Sequence, residues 1–204
     1  MIQILDLQIN NLASLVEGFN RARFEDIHVS EELLASPDKD TLVIPGNGNF
    51  GRASNFLDKD NLRDKILDFY EKDGKILGIC LGMQLFAESS EEAESGRGLG
   101  IIEGKVRRLP KSISRIPHIG WNEVHPTKDR NELDLKCGVD MYFCHSYYFD
   151  VLKSENIYAT TQYEDFEFAS MVLNDSIIGM QYHPEKSSKA GKEVLLKIKE
   201  WLDV

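Results

Sequence analysis

The sequence predicts an α/β fold: a three-layer sandwich with a mostly parallel central sheet and antiparallel additions from the second half of the chain. Three observations predict it. Up to Ile79, short apolar runs alternate with helical patterns of ten or more residues, the rhythm of parallel strands joined by crossover helices. From Gly100 to Gln181, short strand-like runs follow one another with Gly, Pro, Asn and Asp between them and no strong helical pattern. An amphipathic helix then closes the chain. The 204 residues are read as a single domain, 1–204, long enough to build a core without metal or disulfide staples.

The elements follow in order. Ile2 to Leu7 is mostly apolar, as in a buried strand. Leu12, Leu15, Val16 and Phe19 recur at helical spacing and predict a helix from about Asn11 to Ala22. Thr41 to Ile44 is a second apolar run, broken by Pro45-Gly46. Leu62, Ile66, Leu67 and Tyr70 mark another helix face, and Lys75 to Ile79 a third buried run. In the second half, Ile101-Ile102, Met141-Tyr142-Phe143 and Ile177 to Gln181 read as strands. The acidic stretch from Glu88 to Glu94 reads as a solvated loop or helix end. Val194, Leu195, Ile198, Trp201 and Leu202 form the apolar stripe of the closing helix.

Composition narrows the function. Apolar residues make up 42% and charged residues 28%, which excludes a disordered or low-complexity chain. With 24 Lys and Arg against 34 Asp and Glu, the net charge of -10 repels phosphate backbones, so no nucleic-acid partner is expected. The three cysteines, 80, 137 and 144, have no regular spacing and read as reduced thiols of a cytoplasmic protein. No basic segment followed by a long apolar stretch opens the sequence, and the longest apolar or glycine run, Ile76 to Met83, is far short of a membrane span.

Gly78-Ile79-Cys80-Leu81-Gly82 is the most informative stretch. It follows a buried strand and opens a helix near Leu81, the setting of a nucleophile elbow with cysteine in place of serine. Such a turn crowds its neighbours, which explains flanking glycines, and the helix N-terminus favours a thiolate. The same pentapeptide also suits a buried structural cysteine. A thiolate nucleophile needs a base and an orienting group. Of the histidines at 28, 118, 125, 145 and 183, His183 follows the Ile177 to Gln181 run, and in extended chain His183 and Glu185 share a side. Pro45-Gly46-Asn47-Gly48-Asn49-Phe50-Gly51 offers backbone amides to a ligand, as in an oxyanion hole, or is a flexible turn. Cys144 and His145, as strand neighbours, face opposite sides, which assigns Cys144 to the core. Cys137 precedes Gly138 in a polar turn and carries no signal. Without H-x-x-x-H, C-x-x-C or a carboxylate cluster with metal spacing, no metal or other cofactor is expected.

Together these stretches, with Arg115 to Glu123, Tyr142 to Tyr148 and Gly179 to Ser188, resemble the class I, triad-type glutamine amidotransferases across nearly the whole chain. The resemblance implies that Cys80 attacks the side-chain amide of glutamine, His183 is general base and acid, and Glu185 orients it. It places Gly46, Gly48 and the Leu81 amide at the oxyanion, Gln84 against glutamine, and His145, Ser146 and Tyr147 at its amino-acid end. It also implies that ammonia passes to a docked (β/α)8-barrel cyclase. There it meets a ribulose-type aminoimidazole precursor and yields imidazole glycerol phosphate and an aminoimidazole carboxamide nucleotide, in histidine biosynthesis. Asn11, Trp121, Asn122, Tyr142 and Lys186 match the docking face of such a heterodimer. The alternative acceptor is a bacterial surface sugar that receives an amidino group. The first loop, Asp6-Leu7-Gln8-Ile9-Asn10-Asn11-Leu12, lacks the two glycines usual in this family, and Asn47 stands where a small apolar residue is usual.

Overall fold

A computed structural model describes residues 1–9, 12–127 and 132–203. In chain order the elements of the first half are β1 (Ile2–Leu5), α1 (Ala13–Arg21), β2 (Ile27–Ser30), β3 (Thr41–Ile44), α2 (Phe50–Leu57), α3 (Leu62–Glu71), β4 (Lys75–Ile79) and α4 (Leu81–Gln84). The second half adds β5 (Ser89–Ser90), β6 (Ala93–Arg97), β7 (Gly104–Arg108), β8 (His118–Pro126), β9 (Val139–His145), β10 (Tyr147–Val151), β11 (Ile157–Tyr163), β12 (Phe166–Leu173), β13 (Ile177–Met180) and α5 (Ser188–Leu202).

Nine strands form one sheet in the order β2-β1-β3-β4-β13-β12-β11-β8-β9. The pairings from β2 through β13 are parallel, and those from β13 to β9 are antiparallel. Side-chain alternation builds the layers. Ile2, Ile4, Val43, Leu77 and Ile178 point to one face, where they join Leu15 and Phe19 of α1 and Val194, Leu195 and Ile198 of α5. Leu5, Leu42, Ile44, Ile76 and Ile177 point to the other, with Phe50 and Phe56 of α2 and Ile66 and Phe69 of α3. Burial of each such side chain contributes about 1.5–3 kcal/mol. Strands covered on both faces read as continuous apolar runs, which is why β3 and β4 coincide with the runs seen in the sequence.

Several expectations need correction. The first helix begins at Ala13 and ends at Arg21. Ile101-Ile102 is a bend that precedes β7. The second half builds, besides the antiparallel extension, a separate four-stranded sheet in the order β10-β7-β5-β6. The acidic stretch belongs to it: Glu88 to Glu94 contains β5, the turn and the start of β6. Buried Arg63 on α3 anchors this hairpin. It donates to the carbonyls of Arg97 (3.0 Å), Gly98 (2.6 Å) and Ser54 (3.1 Å) and to the Asp58 carboxylate (2.9 Å). Among the described residues no helix is long and apolar enough to cross a membrane.

Candidate active site

The backbone reverses sharply at the carboxyl end of β4. Cys80 adopts φ 53 and ψ -105, a strained conformation for a residue with a side chain. A Cβ on Gly82 would lie 1.7 Å from the Ile44 carbonyl oxygen, and one on Gly78 would lie 2.6 Å from the Phe86 ring. Both glycines are therefore required by packing, as a nucleophile elbow demands. The Cys80 N–H donates to the Met180 carbonyl (2.6 Å), which ties the elbow to β13. Because β13 pairs with β4 in the register Gly179↔Gly78 and Met180↔Ile79, the chain leaving β13 delivers His183 beside the elbow.

His183 and Glu185 do meet, though by a different route from the extended chain expected. The backbone turns at Pro184 into a single helical turn, Pro184–Lys186. Within that turn His183 Nδ1 stands 2.8 Å from Glu185 Oε1, with the two side chains only 4% and 6% exposed. Burial opposes a charge on His183, but Cys80 and then Glu185 outweigh it and push its pKa up to about 10. Nε2 is buried and makes no hydrogen bond of ordinary geometry, so it is open to exchange a proton. Gln181, fully buried, donates from Nε2 to Cys80 Sγ (3.6 Å) while its Oε1 accepts from Gln84 Nε2 (3.0 Å).

A cavity of about 230 Å³ opens over Cys80. Gly48, Leu81, Gln84, His145, Ser146 and Tyr147, all expected at substrate, line it. Gln84 also donates to the Tyr147 carbonyl (2.9 Å). Asn47, Glu92, Pro117 and Cys144, not expected at substrate, line it as well. Glu92 reaches in from the acidic hairpin, where its Oε2 accepts from the Phe50 N–H (2.7 Å). Cys144, assigned to the core, is half-buried and lines the same cavity, and its carbonyl lies 3.9 Å from Cys80 Sγ. The acidic stretch from Glu88 to Glu94 was the available signal for Glu92; for Cys144 the alternation itself holds, but its face of β9 is the half-exposed one, opposite Ile119, and not the core face.

Gly46 lines a neighbouring cavity of about 160 Å³ together with Leu15, Pro45, His183 and Lys186. The Leu81 N–H donates to the Gly46 carbonyl (3.3 Å), so in this arrangement the loop offers that amide an acceptor of its own. Asn49 ends the loop as the N-cap of α2, its Oδ1 accepting from the Arg52 N–H (3.0 Å). In the first loop Gln8 takes φ 55, a conformation that favours glycine. Its N–H donates to Asp6 Oδ1 (2.8 Å) and its Nε2 to Glu31 Oε1 (2.7 Å).

Of the expected docking residues, Trp121 is 49% exposed beside Ile119 at 58%, and Tyr142 on β9 packs edge-on to its ring at 5.8 Å. Lys186 is exposed. Asn122 is half-buried and engages His118. Asn11 lies outside the described residues.

A cysteine on a strand–helix elbow, a buried histidine–carboxylate pair beside it and a polar cavity above it define a thiol amidohydrolase site. The family model of class-I glutamine amidotransferases matches residues 5–201, and the chain belongs to that family. It is similar to proteins called imidazole glycerol phosphate synthase subunit HisH. That of Chlorobaculum tepidum is 38% identical, with 98% of this chain and 100% of the relative covered. That of Pyrococcus furiosus is 42% identical, with 93% of each covered. The Thermotoga maritima subunit is 40% identical over 97% of this chain and 95% of its own. Among solved structures, a glutamine amidotransferase superimposes with a TM-score of 0.76 at 16% identity, covering 100% of this chain and 99% of the other. A second, from Thermotoga maritima, gives 0.72 at 15%, covering 100% and 97%.

Proposed function

We propose that this chain is the glutaminase that supplies ammonia to a cyclase of the (β/α)8-barrel type in histidine biosynthesis. The observation that carries the chemistry is the Cys80 elbow facing the buried His183–Glu185 pair. The names of its relatives favour the histidine-pathway acceptor over the surface sugar. A cytoplasmic setting agrees with three free cysteines.

The Cys80 thiolate adds to the glutamine side-chain carbonyl, and the oxyanion takes the Leu81 N–H and the glycine loop once the Gly46 carbonyl turns away. The His183 imidazolium gives its Nε2 proton to the leaving nitrogen, and ammonia departs as the thioester forms. Neutral His183 then takes a proton from water, hydroxide adds to the thioester, and glutamate leaves with the thiolate regenerated. Glu185 holds His183 in one orientation throughout. Glu92 is placed to pair with the α-ammonium of glutamine and the 145–147 segment to bind its amino-acid end. Ammonia is nucleophilic only while unprotonated, so a docked acceptor preserves it. Trp121, Ile119 and Tyr142 supply an apolar docking patch.

The test is glutamine hydrolysis by the chain alone, with the cyclase, and with cyclase plus its aminoimidazole ribulose ligand. Strong stimulation by cyclase and ligand is expected, together with loss of hydrolysis in Cys80→Ala. Undiminished hydrolysis in that variant overturns the chemistry; hydrolysis indifferent to cyclase and ligand overturns the acceptor.

A further inference from the structure

His118 is fully buried on β8 and has no part in the chemistry above. Its ring lies between Tyr163 (centroids 3.8 Å apart, 21° between planes) and Phe143 (4.8 Å, 17°). Its Nδ1 is 3.0 Å from His145 Nε2, and its Nε2 is 2.8 Å from Asn122 Oδ1. His145 Nδ1 is in turn 2.8 Å from the Tyr147 carbonyl, the same oxygen that accepts from Gln84. A continuous chain of contacts thus runs from Asn122, next to the exposed Trp121, to the cavity wall over Cys80.

Hydrogen-bond accounting gives this chain a direction. A carbonyl only accepts, so His145 must carry its proton on Nδ1. Burial, and then the neighbouring His118, keep His145 neutral, with its pKa pushed down to about 3, so its Nε2 is an acceptor. His118 Nδ1 must therefore donate to it. That leaves the outer nitrogen of His118 to be answered by Asn122. Asn122 Nδ2 is already committed to the Gln162 carbonyl at 3.3 Å. With a neutral His118, Asn122 cannot satisfy both neighbours at once: turning its NH2 to His118 sets Oδ1 against the Gln162 carbonyl. Asn122 is therefore the point at which this chain of contacts meets the sheet surface.

We infer that His118 is a positioning residue of the glutamine site, which through His145 fixes the Tyr147 carbonyl and through Asn122 ties that wall to the partner-facing strand. The inference rests on the glutaminase reading for its kinetic consequence but not for its structural one. Replacing the His118 ring leaves the buried Nε2 of His145 without a donor and loosens the segment that grips the amino-acid end of glutamine. Catalysis at Cys80 itself is untouched.

The test uses His118→Phe, His118→Asn, His118→Gln and Asn122→Ala, assayed with the cyclase present, together with 15N NMR of the imidazoles in the chain alone. His118→Phe keeps an aromatic ring and is expected to raise KM for glutamine roughly 10-fold, with kcat within about 2-fold of wild type. An asparagine amide can stand where Nδ1 stood, so His118→Asn should recover most of that loss. His118→Gln, whose amide reaches only towards Asn122, should not. Asn122→Ala should raise KM about 3-fold. NMR should find His145 as the Nδ1–H tautomer in wild type and a tautomer mixture in His118→Phe. A wild-type KM in His118→Phe and Asn122→Ala, a fall in kcat equal to the rise in KM, or an Nε2–H tautomer of His145 in wild type each overturns the inference. Absence of glutamine hydrolysis in wild type, with the tautomers as stated, overturns the glutaminase reading alone.

Discussion

The Cys80 elbow and the wall of the cavity over it each hold a buried histidine, and the two are held in opposite states. His183 and His145 are 3% and 6% exposed, so desolvation works against a charge on both. At the elbow, His183 faces Cys80 and the Glu185 carboxyl group, and its pKa rises to about 10. At the cavity wall, His145 faces a carbonyl and a second imidazole, and its pKa falls to about 3. Burial raises the stakes of every partner; the partners decide the sign. One ring is thereby a proton donor at neutral pH, and the other is a fixed, uncharged strut.

The largest break in this contrast comes from Glu185→Gln. The amide keeps the shape and an acceptor oxygen but not the charge, so His183 loses the carboxylate that helps to hold its proton and its orientation, and kcat for glutamine should fall about 10²- to 10⁴-fold with the fold intact by circular dichroism. An unchanged kcat would mean that Cys80 alone sets the state of His183.

The second break is in acid. Folded His145 refuses a proton until about pH 3, whereas the unfolded chain takes one near its ordinary value of 6.5. Stability is therefore lost as pH falls through that window, at up to about 1.4 kcal/mol per unit, or roughly 3 kcal/mol by pH 4. His118, also held down by burial, adds to the same trend. Urea unfolding at pH 7 and pH 4 should show a shallower loss in His145→Gln than in wild type; equal losses would assign the acid sensitivity elsewhere. His183 works in the other direction. Its contribution is complete below pH 6.5 and fades as pH rises towards about 10.

A sharper comparison is Cys80→Ala. Removing the Cys80 sulfur leaves Glu185 alone to hold the proton, so the His183 titration followed by NMR should move down by one unit or more while that of His145 stays put. The smallest expected effect is Tyr163→Leu. It removes one ring from the His118 stack and the hydroxyl that donates to the Arg115 carbonyl (2.9 Å), at a cost of about 1 kcal/mol in thermal unfolding. It should also bring the His118 pKa back towards its usual range.

The same two regions differ in how far the sequence discloses them. The elbow is legible because its constraints are local: a reversal at Cys80 needs small residues at 78 and 82, and both are glycine. β3 and β4 are legible because burial on both faces leaves an unbroken apolar run. Glu185 is legible as a partner of His183 from its spacing alone, although the geometry is a helical turn and not a strand. The cavity wall is assembled across sequence distance. His118 meets His145 only because β8 pairs with β9, and Glu92 reaches the cavity only because Arg63 pins the hairpin behind it. β2 went unread because its residues are exposed or half-buried at the sheet edge, and α2 because its cap, Asn49, sits inside what looks like a glycine loop.

The sheet order also sets when the site comes into being. Cys80, the proposed nucleophile, leaves β4, and His183, its proposed base, leaves β13, the immediate neighbour of β4 in the sheet but about a hundred residues later in the chain. During synthesis the thiol emerges long before its proton partner, and the gap beside β4 stays open until Ile177 to Met180 arrives to fill it. A stalled or clipped chain ending before that strand carries a cysteine without a base and a sheet with its middle missing. Competence is thus coupled to completion: the late strand whose pairing is most distant in sequence is also the one that brings His183 to Cys80.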